Sequence, residues 1–102
     1  MISGNYTYTT IAAGTADEAG KAAAHGLRLM GYSVVEGAAG AAVVQIQHGT
    51  ANSSPVMANL KLLASTGKEM WFGPQGLPCS SGIWIERVSG NTEVTLITMI
   101  ST

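Results

Sequence analysis

Apolar and polar residues alternate with a period of two along most of this chain, the pattern of strands with one face in a core and the other in solvent. In residues 82–88, Ile83 and Ile85 point one way while Trp84, Glu86 and Val88 point the other. Ser89-Gly90-Asn91-Thr92 follows, and Gly-Asn suits the positive-φ positions of a tight turn. Residues 92–100 alternate again, with Val94, Leu96, Thr98 and Ile100 set against Glu93, Thr95, Ile97 and Met99. This stretch predicts a β-hairpin.

Earlier segments repeat the pattern. Residues 5–11 set Tyr6, Tyr8 and Thr10 against Thr7, Thr9 and Ile11, which predicts a first strand or an extended arm. Residues 12–24 are rich in alanine, and Thr15-Ala16-Asp17-Glu18 has capping-box spacing, but Gly14 and Gly20 oppose a long helix. A loop with one helical turn is predicted there. From His25, residues Leu27, Leu29, Gly31, Ser33 and Val35 fall on one face, and Arg28, Met30, Tyr32 and Val34 on the other. Residues 36–40 form a turn, 41–48 a strand, 49–55 a loop, 56–64 a strand and 65–68 a turn, leading into a strand over 69–72. Turn signals thus recur between short alternating segments. That predicts an all-β fold, an antiparallel β-sandwich or jelly-roll-like barrel of about seven strands. A chain of 102 residues makes one domain, with residues 1–24 as an N-terminal strand or arm plus loop and 25–102 as the main sandwich.

Composition narrows the function classes. Charged residues make up 11% of the chain, against about 25% in an average domain, and the net charge is −1. Nucleic-acid binding needs a concentrated positive field, which these residues do not supply. A surface so poor in charge is expected to be covered in part by protein, although Ser, Thr, Asn and Gln provide neutral polar cover as well. The N-terminal residues carry no signal-peptide pattern and no stretch approaches 18 apolar residues, so cytoplasmic synthesis without a membrane span is expected.

Candidate chemistry is sparse. His25 and His48 lack a cysteine or carboxylate at ligand spacing, so no metal site is expected. The single cysteine, Cys79, cannot close an intrachain disulfide and has no activating base nearby in sequence, which makes it a loop thiol. Glu86 and Glu93 flank the predicted hairpin turn; they are expected to face solvent, with Arg87 and Lys68 available to compensate them. The glycine-rich residues 37–40 and 73–82 lack the lysine and following helix of a phosphate loop. No catalytic residue and no cofactor are expected.

The aromatic residues say more. Trp71 and Phe72 are adjacent, so one is expected to anchor the core and the other to cap a neighbouring surface. Trp84, opposite the isoleucine face, would form an apolar patch with Met30 and Tyr32 if their strands are neighbours. The alternative is a core buried on both faces. Tyr6 and Tyr8, each with an apolar ring and a polar tip, are suited either to docking or to ordinary edge-strand packing. Tyr6, Tyr8, Met30, Tyr32 and Trp84 are therefore the candidate protein-contact residues.

HGLRLMGYSVVEGAAGAAVVQIQHGT over residues 25–50, and WFGPQGLPCSSGIWIERVSGNTEVTLI over 71–97, resemble small virion structural proteins of tailed bacteriophages. The carrying motifs are the strand–Gly/Ala turn–strand block, the loop Trp71-Phe72-Gly73-Pro74-Gln75-Gly76, and the segment Gly82-Ile83-Trp84-Ile85-Glu86-Arg87-Val88-Ser89-Gly90. His48 stands where that pattern has Asp. The resemblance marks turn and strand positions rather than a catalytic signature. It implies a β-sandwich, often a homotrimer, that attaches to the virion as a capsid cement (decoration) protein or head fibre. Its partners would be the major capsid protein and its own copies. Trp84, Tyr32 and Trp71 stacking on sugar rings would instead suit a receptor- or glycan-binding fibre module, and a head–tail connector is a third possibility.

Overall fold

A computed structural model describes residues 6–51 and 55–100. Nine strands follow one another: β1 (Thr7–Gly14), β2 (Glu18–Lys21), β3 (Leu27–Glu36), β4 (Ala42–His48), β5 (Val56–Leu62), β6 (Gly67–Trp71), β7 (Leu77–Pro78), β8 (Ile83–Ser89) and β9 (Thr92–Ile100). They form two antiparallel sheets, one in the order β1-β9-β3-β6 with β7 also on β3, the other in the order β2-β8-β4-β5. The fold is a β-sandwich, as the alternation predicts. Each of the seven predicted strands has its counterpart; β2 and β7 are additional. Asn5, the predicted start of the first strand, and residues 52–54 of the predicted loop lie outside the described residues.

Between the sheets lies the core. Leu27, Leu29, Val34, Val94 and Leu96 of the first sheet meet Val44, Ile46, Leu60, Leu62, Ile83 and Ile85 of the second, all buried. Each such side chain contributes about 1.5–3 kcal/mol relative to exposure. Ile11 joins this cluster, so the segment before residue 25 shares the core of the rest.

Three sequence-based expectations are corrected. Residues 82–100 do not form a hairpin, because β8 pairs with β2 and β4 while β9 pairs with β1 and β3. The Gly90-Asn91 turn instead carries the chain across from one sheet to the other. Alternation and turn chemistry are the same for both connections. What differs is the choice of partner, which local sequence does not encode. Residues 12–24 contain no helical turn: β1 runs on to Gly14 and β2 pairs with Trp84 and its neighbours on β8. Pairing with a waiting sheet edge outweighs a capping signal followed by glycine.

The third correction concerns β3. Its register against β9 slips between Leu29 and Gly31, leaving Met30 as an extra residue. Such a bulge moves every later side chain to the opposite face. Leu27 and Leu29 point into the core, but beyond the bulge it is Tyr32 and Val34 that are buried, while Ser33 and Val35, predicted to share the face of Leu27 and Leu29, turn outward.

Candidate functional site

The outer face of the first sheet follows from its register, since paired residues lie on the same side. Tyr8 pairs with Ile97, Ile97 with Gly31 and Gly31 with Trp71, one row across four strands. Large rings stand on the two outer strands, and Gly31 in between has no side chain. A concavity results. The adjacent row runs Thr10, Thr95, Ser33, Glu69, and places hydroxyls beside a carboxylate. Together they form an open groove of about 590 Å³, lined by Tyr8, Ser33, Glu69, Trp71, Thr95 and Ile97, among others. That volume falls within the range of small-ligand clefts, about 300–1,000 Å³. Gly31 is required there, because a Cβ would collide with the Met70 carbonyl.

Tyr6 packs against the groove's Trp71, its ring 5.7 Å from that of Trp71 and nearly perpendicular to it at 84°. This is the edge-to-face arrangement favoured by ring quadrupoles. Tyr6, Tyr8 and Trp71 retain 47%, 68% and 51% of their accessible surface, so these residues are open to solvent. Glu69 and Trp71 are two residues apart on β6, and Tyr6 precedes Tyr8 by the same spacing. Thr10 and Thr95 hydroxyls share a hydrogen bond of 3.2 Å beside them.

Tyr6 and Tyr8, two of the protein-contact candidates, therefore lie near the same surface feature. Met30, Tyr32 and Trp84 do not join them there as a contact patch. Met30 is fully buried at the bulge, beneath the residue 73–76 loop, where a Cβ on Gly76 would approach its sulfur to 2.6 Å. Tyr32 turns inward after the bulge and packs on Phe72 at 5.9 Å, and burial raises its phenol above the ordinary 10.0. Trp84 is on the other sheet, half-buried between Ala19 of β2 and Gln47 of β4. Its buried indole N–H has no acceptor among the described residues. Phe72 is the core-side ring of the adjacent pair and Trp71 the exposed one. Trp71, Ile97 and Glu69 complete the groove. The i, i+2 spacing of Glu69 and Trp71 was legible, but their meeting with Tyr6 and Tyr8 depends on strands far apart in sequence.

The remaining candidates are structural. Among the described residues no group of three His, Cys, Asp or Glu side chains is placed to hold a metal. His48 Nε2 accepts the Ser81 N–H at 3.3 Å, and His25 is exposed. Cys79 is buried in the core; burial pushes its thiol up to about 11, against smaller opposing effects of a backbone hydrogen bond and Arg28. Glu86 and Glu93 are on different sheets, and Glu86 accepts from Gln47 Nε2 at 2.7 Å. Arg87 is not an outward counter-charge. It is buried, and its guanidinium donates to the carbonyls of Ala12 (2.6 Å), Ala16 (3.1 Å) and Thr92 (3.0 Å) and to Glu18 Oε2 (2.9 Å).

Glu36, which the sequence did not single out, organises the turn after β3. Its carboxylate accepts N–H groups from Ala38 (2.6 Å), Gly40 (3.2 Å) and Ser65 (2.9 Å). The Ser65 and Ala38 bonds lead in holding it below the ordinary 4.5.

No protein-family model, curated protein or solved structure matches this chain.

Proposed function

We propose that this chain is a non-enzymatic structural protein of a tailed-phage virion, a cement protein that sits on the outer capsid surface, binds the major capsid protein and its own copies, and stabilises the shell. The observation that carries this reading is the open aromatic face of the first sheet on a chain with only 11% charged residues. Exposed apolar patches of this kind mark protein contacts, and Trp and Tyr supply much of the energy in such interfaces. Many copies on a symmetric lattice gain strength by avidity, so each contact needs only modest affinity. Cyclic association, with a trimer as the expected form, would also cover sheet edges.

The test is to mix the purified chain with expanded capsids and locate it by particle imaging. The expected result is occupancy in proportion to the capsid subunits, with a raised melting temperature of the shell. A strict monomer that leaves capsids bare overturns the proposal. The groove also favours a second reading, a receptor- or glycan-binding module of a head or tail fibre. That reading predicts hits on a glycan array and falls if the array is blank.

A further inference from the structure

We propose that the groove receives an arginine side chain from the protein surface on which this chain docks. The inference rests on the docking reading above and names the chemistry of the contact. Its starting point is charge: among the described residues Glu69 is the one charged side chain lining the groove. Among the described residues it forms no ion pair with a cation of this chain; the ion pair found there is Arg87 with Glu18, neither of which lines the groove. A carboxylate flanked by open rings is complementary to a large, weakly hydrated cation.

The rings sharpen the choice. Tyr6 and Trp71 meet at 84° and so present two walls of a corner, while Tyr8 stands across the floor from Trp71 in the same cross-strand row. Ring faces attract cations, and Arg is found on them more often than Lys. A guanidinium is planar, stacks on an indole and bonds a carboxylate with two parallel N–H donors, whereas an ammonium does neither. Ser33 and Thr95 hydroxyls on the floor offer acceptors for the remaining donors. A neutral sugar would use the rings and hydroxyls but would leave the carboxylate charge unmatched.

The test is NMR titration of the full chain with acetyl-arginine-amide, acetyl-lysine-amide and maltotriose in the millimolar range. The expected result is saturable shifts of the Trp71 indole and the Glu69 and Ser33 amides with the arginine compound. The lysine compound should bind several-fold more weakly. Glu69→Gln should weaken arginine binding roughly ten-fold, in keeping with loss of a charge-assisted pair. Trp71→Ala should abolish it, and the conservative Glu69→Gln keeps the test meaningful if the alanine variant misfolds. No shift with arginine, equal binding by Glu69→Gln, or a response to maltotriose alone overturns the proposal. Capsid binding unchanged in Glu69→Gln overturns the groove contact and leaves the cement role standing. Arginine binding in the groove without capsid binding supports the site and overturns the cement role.

Discussion

Arg87 belongs by its backbone to β8 in one sheet, yet its guanidinium reaches the Ala12 and Thr92 carbonyls on β1 and β9 in the other. Period two places it on the side of Ile83 and Ile85, although its charge suggests the solvent side. Carbonyl acceptors and Glu18 make that position tolerable by taking the bonds of its two terminal nitrogens, while the buried Nε–H has no acceptor among the described residues. Arg87→Met should lower stability by about 3 kcal/mol in urea unfolding, since it leaves buried carbonyls without donors. Glu18→Gln should lower it by less than about 1 kcal/mol, because that partner is half exposed and its attraction is screened. Glu36 makes a pH-dependent contribution. Its folded-state value is depressed, so its stabilisation is complete above the ordinary 4.5 and is lost as pH falls through the lower folded value. Thermal melts should therefore fall off at acid pH, and less steeply in Glu36→Gln. Cys79, with its thiol near 11, is almost wholly protonated at pH 8 and is shut in the core. Ellman's reagent should label it only after denaturant is added.

At the scale of elements, the sheet-to-sheet connection at Gly90 carries a conformational demand. Gly90 has φ of 77°, and a Cβ there would lie 2.6 Å from both the Ala41 carbonyl and the Ala42 Cβ. Gly90→Ala should lower stability by more than about 1 kcal/mol in chemical denaturation. Gly40→Ala is the control, since a Cβ there meets nothing within 4 Å, and it should be neutral or slightly stabilising. The strands themselves were legible because burying one face imposes a period of two on the residues. The sheet to which each strand belongs was not legible. A Gly-Asn turn closes a hairpin or crosses a sandwich with the same residues, and a one-residue bulge at Met30 reverses a face without breaking the apolar pattern. The groove was legible only in fragments for the same reason. Tyr6 with Tyr8, and Glu69 with Trp71, are local pairs that become one site when β9 and β3 lie between them in a fixed register.

For the whole molecule, the partner relations are long-range: β1 pairs with β9, β3 with β6 and β9, and β2 with β8. Closing such loops before contacts form is slow, so refolding followed by stopped-flow tryptophan fluorescence should take milliseconds to seconds rather than microseconds. The β4–β5 pair, adjacent in sequence, is the natural place for structure to start. Strand β9 occupies the middle of the first sheet between β1 and β3, yet it is the last of the nine to be synthesised. On the ribosome the first sheet must therefore wait, split down its centre, until residues 92–100 clear the exit tunnel. Its inner strand edges stay unpaired through that interval, and a chaperone would meet an unfinished surface before the finished one.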